Sequence, residues 1–268
     1  GVWAPGSGGA ALLCAYAVAP AELEAVAQHV NRLPGVNHNY EREDRHNLWF
    51  VLTGEDASSL QQQLDALDAE LGLPSLRLPM LRAYRIDLGF DLQARLAAPG
   101  ALARQRALPV QPEERPLAAW LEQGLPLVQQ PYELAALRTG CSPEQVRATL
   151  QRWLDQGTLK RLGLIVRHHE LGFDQNAMAV FDVPDEDVDR LGARLAAQAG
   201  VTLAYRRQRA AGWPFNLYAM VHGRSRAEVQ AALREASTLS GLTAVPQRLL
   251  FSRRRFKQTG SRYFSSHV

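Results

Sequence analysis

The sequence predicts an α+β protein made of two related βαββαβ domains and one helix-turn-helix unit. Three observations support this prediction. The chain aligns with itself at an offset of about 165 residues, both copies show the same order of strand and helix patterns, and a segment between them carries three short helical patterns. With 268 residues, of which 46% are hydrophobic, the chain is long enough for each unit to bury a core.

Copy one is predicted to run strand, helix, strand, strand, helix, strand. An apolar run ends at Pro20, a helical stripe follows, and Gly35 separates this helix from a hairpin. Asp56 is the expected N-cap of a second helix, which Gly72 ends. The predicted strands cover 11–19, 36–42, 47–53 and 76–88, and the predicted helices cover 21–32 and 56–71.

Copy two repeats this order. Its predicted strands cover 175–183, 201–208, 215–222 and 244–257, and its predicted helices cover 185–198 and 225–238. The order is the ferredoxin-like one, in which a four-stranded antiparallel sheet carries both helices on one face. The other sheet face needs a partner, and we expect the second copy to pack against it face to face.

The segment between the copies holds a linker and a predicted winged helix-turn-helix. Residues 93–112 are rich in Ala, Arg, Gln and Pro and are predicted to be the linker. Ser142 is the expected N-cap of a third helix that runs to 156, and Pro143 follows at its first position. The chain therefore divides into a first ferredoxin-like domain (1–92), the linker (93–112), the winged helix-turn-helix (113–166) and a second ferredoxin-like domain (167–268).

The two copies differ where chemistry is expected. His38 of copy one aligns with Leu203 of copy two, and an ungapped alignment upstream places Pro5-Gly6-Ser7 opposite Arg167-His168-His169. Each copy therefore has a histidine that the other lacks, which predicts one asymmetric site built from both halves.

The same alignment puts the start of copy one after the position of a matching helix-turn-helix, so we expect that such a module was lost or removed. The glycine run 6–9 is predicted to be a flexible entry, since it lacks the lysine of a phosphate loop.

Composition narrows the class of protein. No apolar run approaches the ~18 residues of a membrane span, and no export signal begins the chain, so we expect no membrane partner. Cys14 and Cys141 lack metal-ligand spacing and predict a reducing, cytoplasmic setting. All of the 30 basic residues except Lys160 and Lys257 are arginine, whose planar guanidinium binds carboxylates in pairs.

Several strings resemble one enzyme family. A helix-turn-helix followed by a βαββαβ domain is similar to the Lrp/AsnC family of regulators. The strings GVNHNYER (35–42), HNLWF (46–50), RLGLIVRHH (161–169) and WPFNLY (213–218) resemble the siroheme decarboxylases, in which two Lrp-like polypeptides pair or are fused. The resemblance implies removal of two acetate carboxyl groups from siroheme, giving didecarboxysiroheme for haem d1 or the alternative haem route.

Binding such a substrate requires arginines, because siroheme carries eight carboxylates around a flat apolar macrocycle. Arginines follow the same tyrosine in both copies, at Tyr40 and Tyr205. Side chains alternate along a strand, so only about half of each arginine run faces inward. A solvated face is at least as good an interpretation of any single arginine, whereas the hairpin clusters taken together favour ligand binding. The predicted substrate-binding residues are Arg42, Arg45, His46, Arg167, His169, Arg206, Arg207, Arg209, Trp213 and Arg254.

Histidines are the candidate acids. Loss of carbon dioxide leaves electron density beside the pyrrole, and a protonated imidazole is the usual donor of the replacing proton. His38 and His168 are the predicted catalytic residues, with His46 and His169 as alternatives, and His168 is also the candidate ligand of the substrate iron. We expect no organic cofactor, because the macrocycle accepts the electrons and the iron arrives with the siroheme. A surface or capping role is the other interpretation of each histidine.

Two other functions are compatible with the sequence. An Lrp/AsnC-like transcriptional regulator would bind a small effector and DNA, and a haem carrier would bind without catalysis. The predicted recognition helix offers only Arg147 and Arg152 against Glu144 and Asp155, which is few cations for phosphate contacts. We therefore expect no specific DNA binding. The expected assembly is pairing of the two halves within the chain, with a homodimer as an additional assembly.

Overall fold

The computed structural model describes residues 2–4, 6–86, 107–162 and 175–264. The predicted site residues Arg167, His168 and His169 lie outside the described residues, as does most of the predicted linker. The first part contains β1 (Val2–Trp3), β2 (Ala10–Tyr16), α1 (Leu23–Asn31), β3 (Val36–Arg42), β4 (Leu48–Gly54), α2 (Ala57–Leu71) and β5 (Leu76–Ile86).

The rest of the chain contains a three-helix unit and the second copy. The three-helix unit consists of α3 (Arg115–Glu122), α4 (Pro131–Thr139), α5 (Pro143–Asp155) and the short strand β6 (Leu159–Arg161). The second copy consists of β7 (Gln175–Phe181), α6 (Val188–Ala196), β8 (Val201–Arg207), β9 (Leu217–Gly223), α7 (Arg226–Ser240) and β10 (Gln247–Gln258). Both copies have the predicted element order. None of the helices in the described ranges is long and apolar enough to cross a membrane.

Local sequence signals begin and end the helices as predicted. Asp56 Oδ1 accepts a hydrogen bond from Ser59 N (2.8 Å) at the start of α2, and Gly72 ends that helix with a φ of 63°. Ser142 caps α5, because its hydroxyl accepts from Gln145 N (3.2 Å) while the Gln145 side chain accepts from Ser142 N (2.7 Å). These reciprocal bonds satisfy donors that the first turn leaves unpaired.

The two copies close into one eight-stranded antiparallel barrel, with the strand order β10-β3-β4-β2-β5-β8-β9-β7. β5 and β10 make the closure because each is long enough to pair with both copies. The first residues of β5 pair with β2, and Met80 to Ile86 pair with β8. β10 likewise pairs first with β7 and then with β3. The inner faces of the two sheets oppose each other as expected. The sheets are also joined edge to edge, so the backbone N–H and C=O groups of their edge strands are hydrogen-bonded.

The barrel has one apolar core inside and two outside. The inner core draws on both copies and includes Leu13, Trp49, Leu78, Met178, Val180, Trp213, Phe215, Tyr218 and Leu250. The outer cores lie between the barrel and the helices, one under α1 and α2 and the other under α6 and α7. Because successive strand residues point to opposite faces, each strand contributes to one inner and one outer core.

Strand pairing corrects the upstream alignment of the two copies. Val51 of copy one and Met220 of copy two occupy equivalent positions in the aligned hairpins. Leu13 of β2 pairs with Val51, and Met178 of β7 pairs with Met220. Leu13 therefore corresponds to Met178, at an offset three residues larger than the ungapped alignment assumes. That alignment was wrong because short strands rich in alanine and valine match in several registers.

The correction changes which residues face the histidines of copy two. Continued upstream at the corrected offset, the sequence places Val2-Trp3-Ala4, and not Pro5-Gly6-Ser7, opposite Arg167-His168-His169. In the corrected alignment His168 matches Trp3, which has no acidic or basic group. The asymmetry between the copies stays a prediction, now with Trp3 in place of Gly6 as the residue aligned with His168.

The three-helix unit is completed by residues from outside its own segment. β1 pairs antiparallel with β6, which brings the start of the described chain onto this unit. Its core contains Leu117, Leu121, Val146, Leu150 and Trp153 together with Trp3, Val110 and Phe264. The Trp3 and Trp153 rings meet edge to face with centroids 5.3 Å apart.

We expect Asn216→Ala to lower the free energy of unfolding by about 2–4 kcal/mol. Asn216 Oδ1 accepts from Val183 N (3.0 Å), and its Nδ2 donates to Val183 O (2.9 Å) and to Asp185 (3.1 Å). The change removes these three hydrogen bonds and leaves the buried Val183 N unpaired, while Val183 O keeps its bond from Arg209 (2.6 Å). Asn47 makes the same pair of bonds with Val18 in copy one. Urea unfolding measures the effect. The exposed Gln208→Ala is the control and should change stability by less than about 0.5 kcal/mol. Equal stability of the two variants would contradict the prediction.

Candidate active site

The inner face of the barrel carries the same pattern in both copies. The inward residues are His38, Tyr40 and Arg42 on β3 and Leu203, Tyr205 and Arg207 on β8. Tyr40 pairs with Trp49, and Tyr205 pairs with Tyr218, both of which belong to the inner core. Asn39 points outward instead, where its Nδ2 donates to the carbonyl of α1 at position 27 (3.1 Å). The aligned pair of His38 and Leu203 therefore lies on the interior surface.

Arg42 and Arg207 are equivalent cations inside the barrel. Arg42 Nη1 donates to Leu250 O (3.2 Å), and Arg207 Nη1 donates to Leu78 O (2.9 Å), so each binds the last strand of the other copy. Their guanidiniums lie over Tyr40 (5.6 Å) and over the matching tyrosine of β8 (5.3 Å). Within the described ranges, neither has a carboxylate partner, and Arg207 Nε has no hydrogen-bond partner.

Burial of these cations changes their pKa values. Arg42 is 8% exposed, and desolvation lowers its pKa to about 10. Desolvation also lowers the pKa of Arg207. Both remain positively charged at neutral pH, so the interior holds two guanidinium charges that an anionic ligand would stabilise.

His38 lies near the beginning of β3, between Val51 of β4 and Gln258 of β10. Its ring is stacked nearly parallel to that of Tyr40, with centroids 6.3 Å apart and 21° between the planes. Burial lowers the pKa of His38 to about 4, and the nearby charge of Arg42 adds to the effect. The imidazole of the chain without ligand is therefore neutral at pH 7.

The predicted site residues lie at two opposite ends of the barrel. β2, β3, β7 and β8 all begin at the end where His38 lies, termed the His38 end. The β3–β4 and β8–β9 turns lie at the other end, termed the hairpin end, and carry Arg45, His46, Arg209 and Trp213. Arg42 is the last residue of β3, so its Cα atom lies roughly 13 Å from that of His38. The structure thus separates His38 from the hairpin residues.

Aromatic side chains fill the hairpin end. Trp213 is buried, donates from Nε1 to the Tyr218 hydroxyl (2.7 Å) and contacts the rings of Trp49 (5.3 Å) and Phe215 (4.9 Å). His46 meets Trp213 edge to face at 5.4 Å, and burial lowers its pKa. The structure therefore brings together two predicted residues from different copies, in a packed cluster of the core.

Three predicted arginines already contact carboxylates of the chain. Arg209 pairs with Asp185 (2.5 Å) and Asp182 (2.9 Å), and Arg206 lies 3.6 Å from an oxygen of Asp189. Arg254 binds Glu24 (2.8 Å), whereas Arg45 is exposed in the hairpin turn. A cleft of about 330 Å³ at the hairpin end is lined by Arg206, Arg207, Arg209, Asp185 and neighbouring residues. A ligand carboxylate bound there would compete with these aspartates.

Sequence reasoning did not single out the inward tyrosines as site residues. Tyr40 and Tyr205 face the interior between the cation and the His38 end. The signal that would have found them is the period of two, since His38, Tyr40 and Arg42 share one face of a strand. Arg167, His168 and His169 lie outside the described residues, and the strand that follows them, β7, begins at the His38 end.

We expect His38→Leu to weaken the acid sensitivity of the fold. Because the pKa of His38 is depressed to about 4 in the folded chain, the unfolded chain binds more protons below its ordinary value of about 6.5. Stability linked to this group is complete above about pH 6.5 and is lost as the pH falls toward 4. The variant, which carries the residue of copy two, should therefore lose less stability than the parent between about pH 7 and 4.5. Urea unfolding at both pH values measures this, and equal losses would refute it.

Comparisons with known proteins agree with this two-copy architecture. The family model of the AsnC-like ligand binding domain matches residues 8–85 and 170–257, which are the two copies. The siroheme decarboxylase NirDL subunit of Paracoccus pantotrophus is 41% identical over 260 residues, covering 96% of this chain and 79% of that protein. The siroheme decarboxylase of Hydrogenobacter thermophilus is 31% identical over 256 residues, covering 94% of this chain and 76% of that protein.

Solved structures resemble the chain over the same extent. The crystal structure of the siroheme decarboxylase NirDL superposes with a TM-score of 0.70 at 28% identity, covering 97% of this chain and 76% of that one. The structure of NirDL in co-complex with an iron-uroporphyrin III analogue superposes with a TM-score of 0.69 at 29% identity, with the same coverage. Because these matches run through both copies and the three-helix unit, the chain belongs to the siroheme decarboxylase family of AsnC-like proteins.

Proposed function

We propose that this chain decarboxylates siroheme, removing two acetate carboxyl groups to give didecarboxysiroheme. The observation that carries the proposal is the pair of interior guanidiniums, Arg42 and Arg207, for which the described residues supply no carboxylate. An interior cation is stabilised by an anionic partner, and siroheme presents carboxylates around its whole rim. The 41% identity to a siroheme decarboxylase subunit supports the same substrate.

Substrate binding converts His38 into an acid. In the chain without ligand, burial and Arg42 hold the pKa of His38 near 4. A carboxylate placed beside the imidazole raises this pKa, because a nearby negative charge favours the protonated form. A ligand rich in carboxylates therefore supplies the charge that lets His38 carry a proton at neutral pH.

The proton then replaces the carboxyl group. The bond between the carboxyl carbon and the methylene carbon breaks, carbon dioxide leaves, and the electron pair remains on the carbon attached to the pyrrole. Conjugation with the macrocycle stabilises this pair, so the scheme requires no organic cofactor, and the iron is part of the substrate. Protonation of that carbon by His38 or His168 gives a methyl group. His168, seven residues before β7, is proposed as the second donor or as the ligand of the substrate iron.

The pocket includes the other residues predicted from the sequence. Arg42 and Arg207 are proposed to bind carboxylates inside the barrel. Arg167 and His169, which lie outside the described residues, are proposed as further substrate-binding residues. Arg45, His46, Arg206, Arg209, Trp213 and Arg254 remain predicted substrate-binding residues. Their ion pairs and core packing favour a structural role for most of this second group.

The three-helix unit is proposed to be a winged helix-turn-helix that supports two ferredoxin-like domains. Both basic side chains of α5 contact carboxylates: Arg147 binds Glu144 (2.9 Å) and Arg152 binds Glu114. Phosphate contacts require cations that are available to the DNA backbone. These contacts count against DNA binding through α5 and therefore against a function as a transcriptional regulator.

We expect anaerobic incubation with siroheme to yield a product lighter by two carbon dioxide masses, detected by mass spectrometry. His38→Ala and His168→Ala should each slow at least one decarboxylation by about 10²–10⁴-fold and accumulate the monodecarboxylated intermediate. His29→Ala alters an imidazole on α1, paired with Glu70 outside the barrel, and should convert siroheme at the parent rate. Parent-like turnover of both site variants would make this assignment wrong and leave His46 and His169 as the candidates.

We also expect the chain to prefer iron tetrapyrroles with many carboxylates over protoporphyrin haem. Arg42→Met and Arg207→Met should each weaken binding of iron uroporphyrin by about ten- to hundredfold, since each removes a charge-assisted hydrogen bond. The exposed Arg234→Met is the matched control. Absorbance titration measures the affinities. Equal affinity of the parent for protoporphyrin haem, which has only two propionates, would contradict this model of the pocket.

A further inference from the structure

The residues that follow β10 cross the His38 end of the barrel. Thr259 N donates to Asn37 O (2.7 Å), and Arg262 N donates to Thr53 Oγ1 (3.0 Å). Asn37 and Thr53 belong to the start of β3 and the end of β4, which meet at this end. The segment 259–264, termed the strap, therefore lies along the rim of the barrel opening, from β3 and β4 to the residues before β2.

The far part of the strap is fixed to the three-helix unit. The Glu122 carboxylate of α3 accepts hydrogen bonds from the backbone N of Tyr263 and from that of Phe264 (3.1 Å). The Phe264 ring packs edge to face against Trp3 at 4.8 Å, and the Arg115 guanidinium lies over it at 5.8 Å. Neighbouring residues thus fix the backbone at Tyr263 independently of its own side chain.

Two glycines before β2 leave room for the strap. A Cβ atom on Gly9 would overlap the side chain of Tyr263, and one on Gly8 would lie 3.2 Å from the Phe264 ring. Gly9 is in phase with the inward residue Leu13 of β2, because side chains alternate along a strand. The Tyr263 ring therefore lies against Gly9 at the rim of the opening, beside the core of the three-helix unit. The glycine run, predicted to be a flexible entry, is the surface on which these two rings pack.

The Tyr263 hydroxyl is hydrogen-bonded to the Ser261 side chain and lies near Tyr205 of β8. Burial raises the pKa of Tyr205 to about 12, and Tyr263 lies close enough to add to that rise. Burial also raises the pKa of Tyr263 itself. Near pH 7 the phenol is therefore protonated and acts as a hydrogen-bond donor. It stands on the β2 and β8 side of the opening, whereas His38 stands on β3.

We propose that Tyr263 is a further substrate-binding residue, whose hydroxyl donates a hydrogen bond to a peripheral carboxylate of the tetrapyrrole at the His38 end. This inference rests on the proposed function. The interior arginines supply charge, and a neutral phenol held by the strap supplies a directed donor for one carboxylate. The three-helix unit thereby contributes to the pocket, since Glu122 and the Phe264 contacts position the wall that carries Tyr263.

Tyr263→Phe tests this role because it keeps the ring on Gly9 and removes only the hydroxyl, together with its hydrogen bond to Ser261. We expect iron uroporphyrin to bind about ten- to hundredfold more weakly, and the KM for siroheme to rise by the same factor while kcat changes less than about threefold. Tyr132→Phe removes a hydroxyl from α4, away from the barrel, and should leave both affinity and KM at the parent values.

Gly9→Ala provides an independent test of the packing surface. The added methyl group displaces the Tyr263 ring, so binding should weaken in the parent but change little further in Tyr263→Phe, where the hydroxyl is already gone. If Tyr263→Phe matches the parent in affinity and KM while the parent converts siroheme, the assignment of Tyr263 is overturned and the proposed function stands. A parent that binds iron uroporphyrin but converts no siroheme overturns the proposed function instead, and the affinities still decide the role of Tyr263.

Discussion

The architecture depends on two strands that hydrogen-bond to both copies. A four-stranded βαββαβ sheet has two free edges, and their unpaired backbone groups favour pairing with another strand. β5 and β10 extend past their own sheets and satisfy the edges of the opposite copy at β8 and β3. Because these strands close the barrel, the inner core contains residues of both copies. Each interior arginine also donates a hydrogen bond to a carbonyl of the other copy's last strand.

The proposed carboxylate-binding groups are repeated in both copies, whereas the proposed acid on β3 is not. The tyrosine–arginine pairs repeat with nearly the same geometry in both copies, so the groups suited to carboxylates are placed symmetrically around the barrel axis. His38 has no counterpart, because Leu203 occupies its position on β8. In the proposed reaction, similar groups of both copies hold the flat tetrapyrrole on two sides, and His38 acts from the β3 side.

Periodicity and caps were sufficient to place the elements, because they are local signals. Asp56, Gly72 and Ser142 act at helix ends as expected. The offset of β2 against β7 was misjudged, since only cross-strand pairing distinguishes registers of short apolar strands. The same limit applies to the arginines. Alternation shows that Arg206 and Arg207 point to opposite faces, but the partners of Arg206 lie on α6 and before it, which local sequence cannot reveal.

Closure by β10 has a consequence for how the chain acquires its structure. The contacts between β3 and β10 join residues roughly 200 positions apart. Because the intervening chain must lose conformational entropy before these contacts form, such topologies fold slowly. Until β10 arrives, β3 presents an open edge, and the three-helix unit lacks the Phe264 that completes its core. Synthesis on the ribosome therefore leaves the first copy without its final partner strand until β10 has been made, and during this time the open edge is exposed to aggregation.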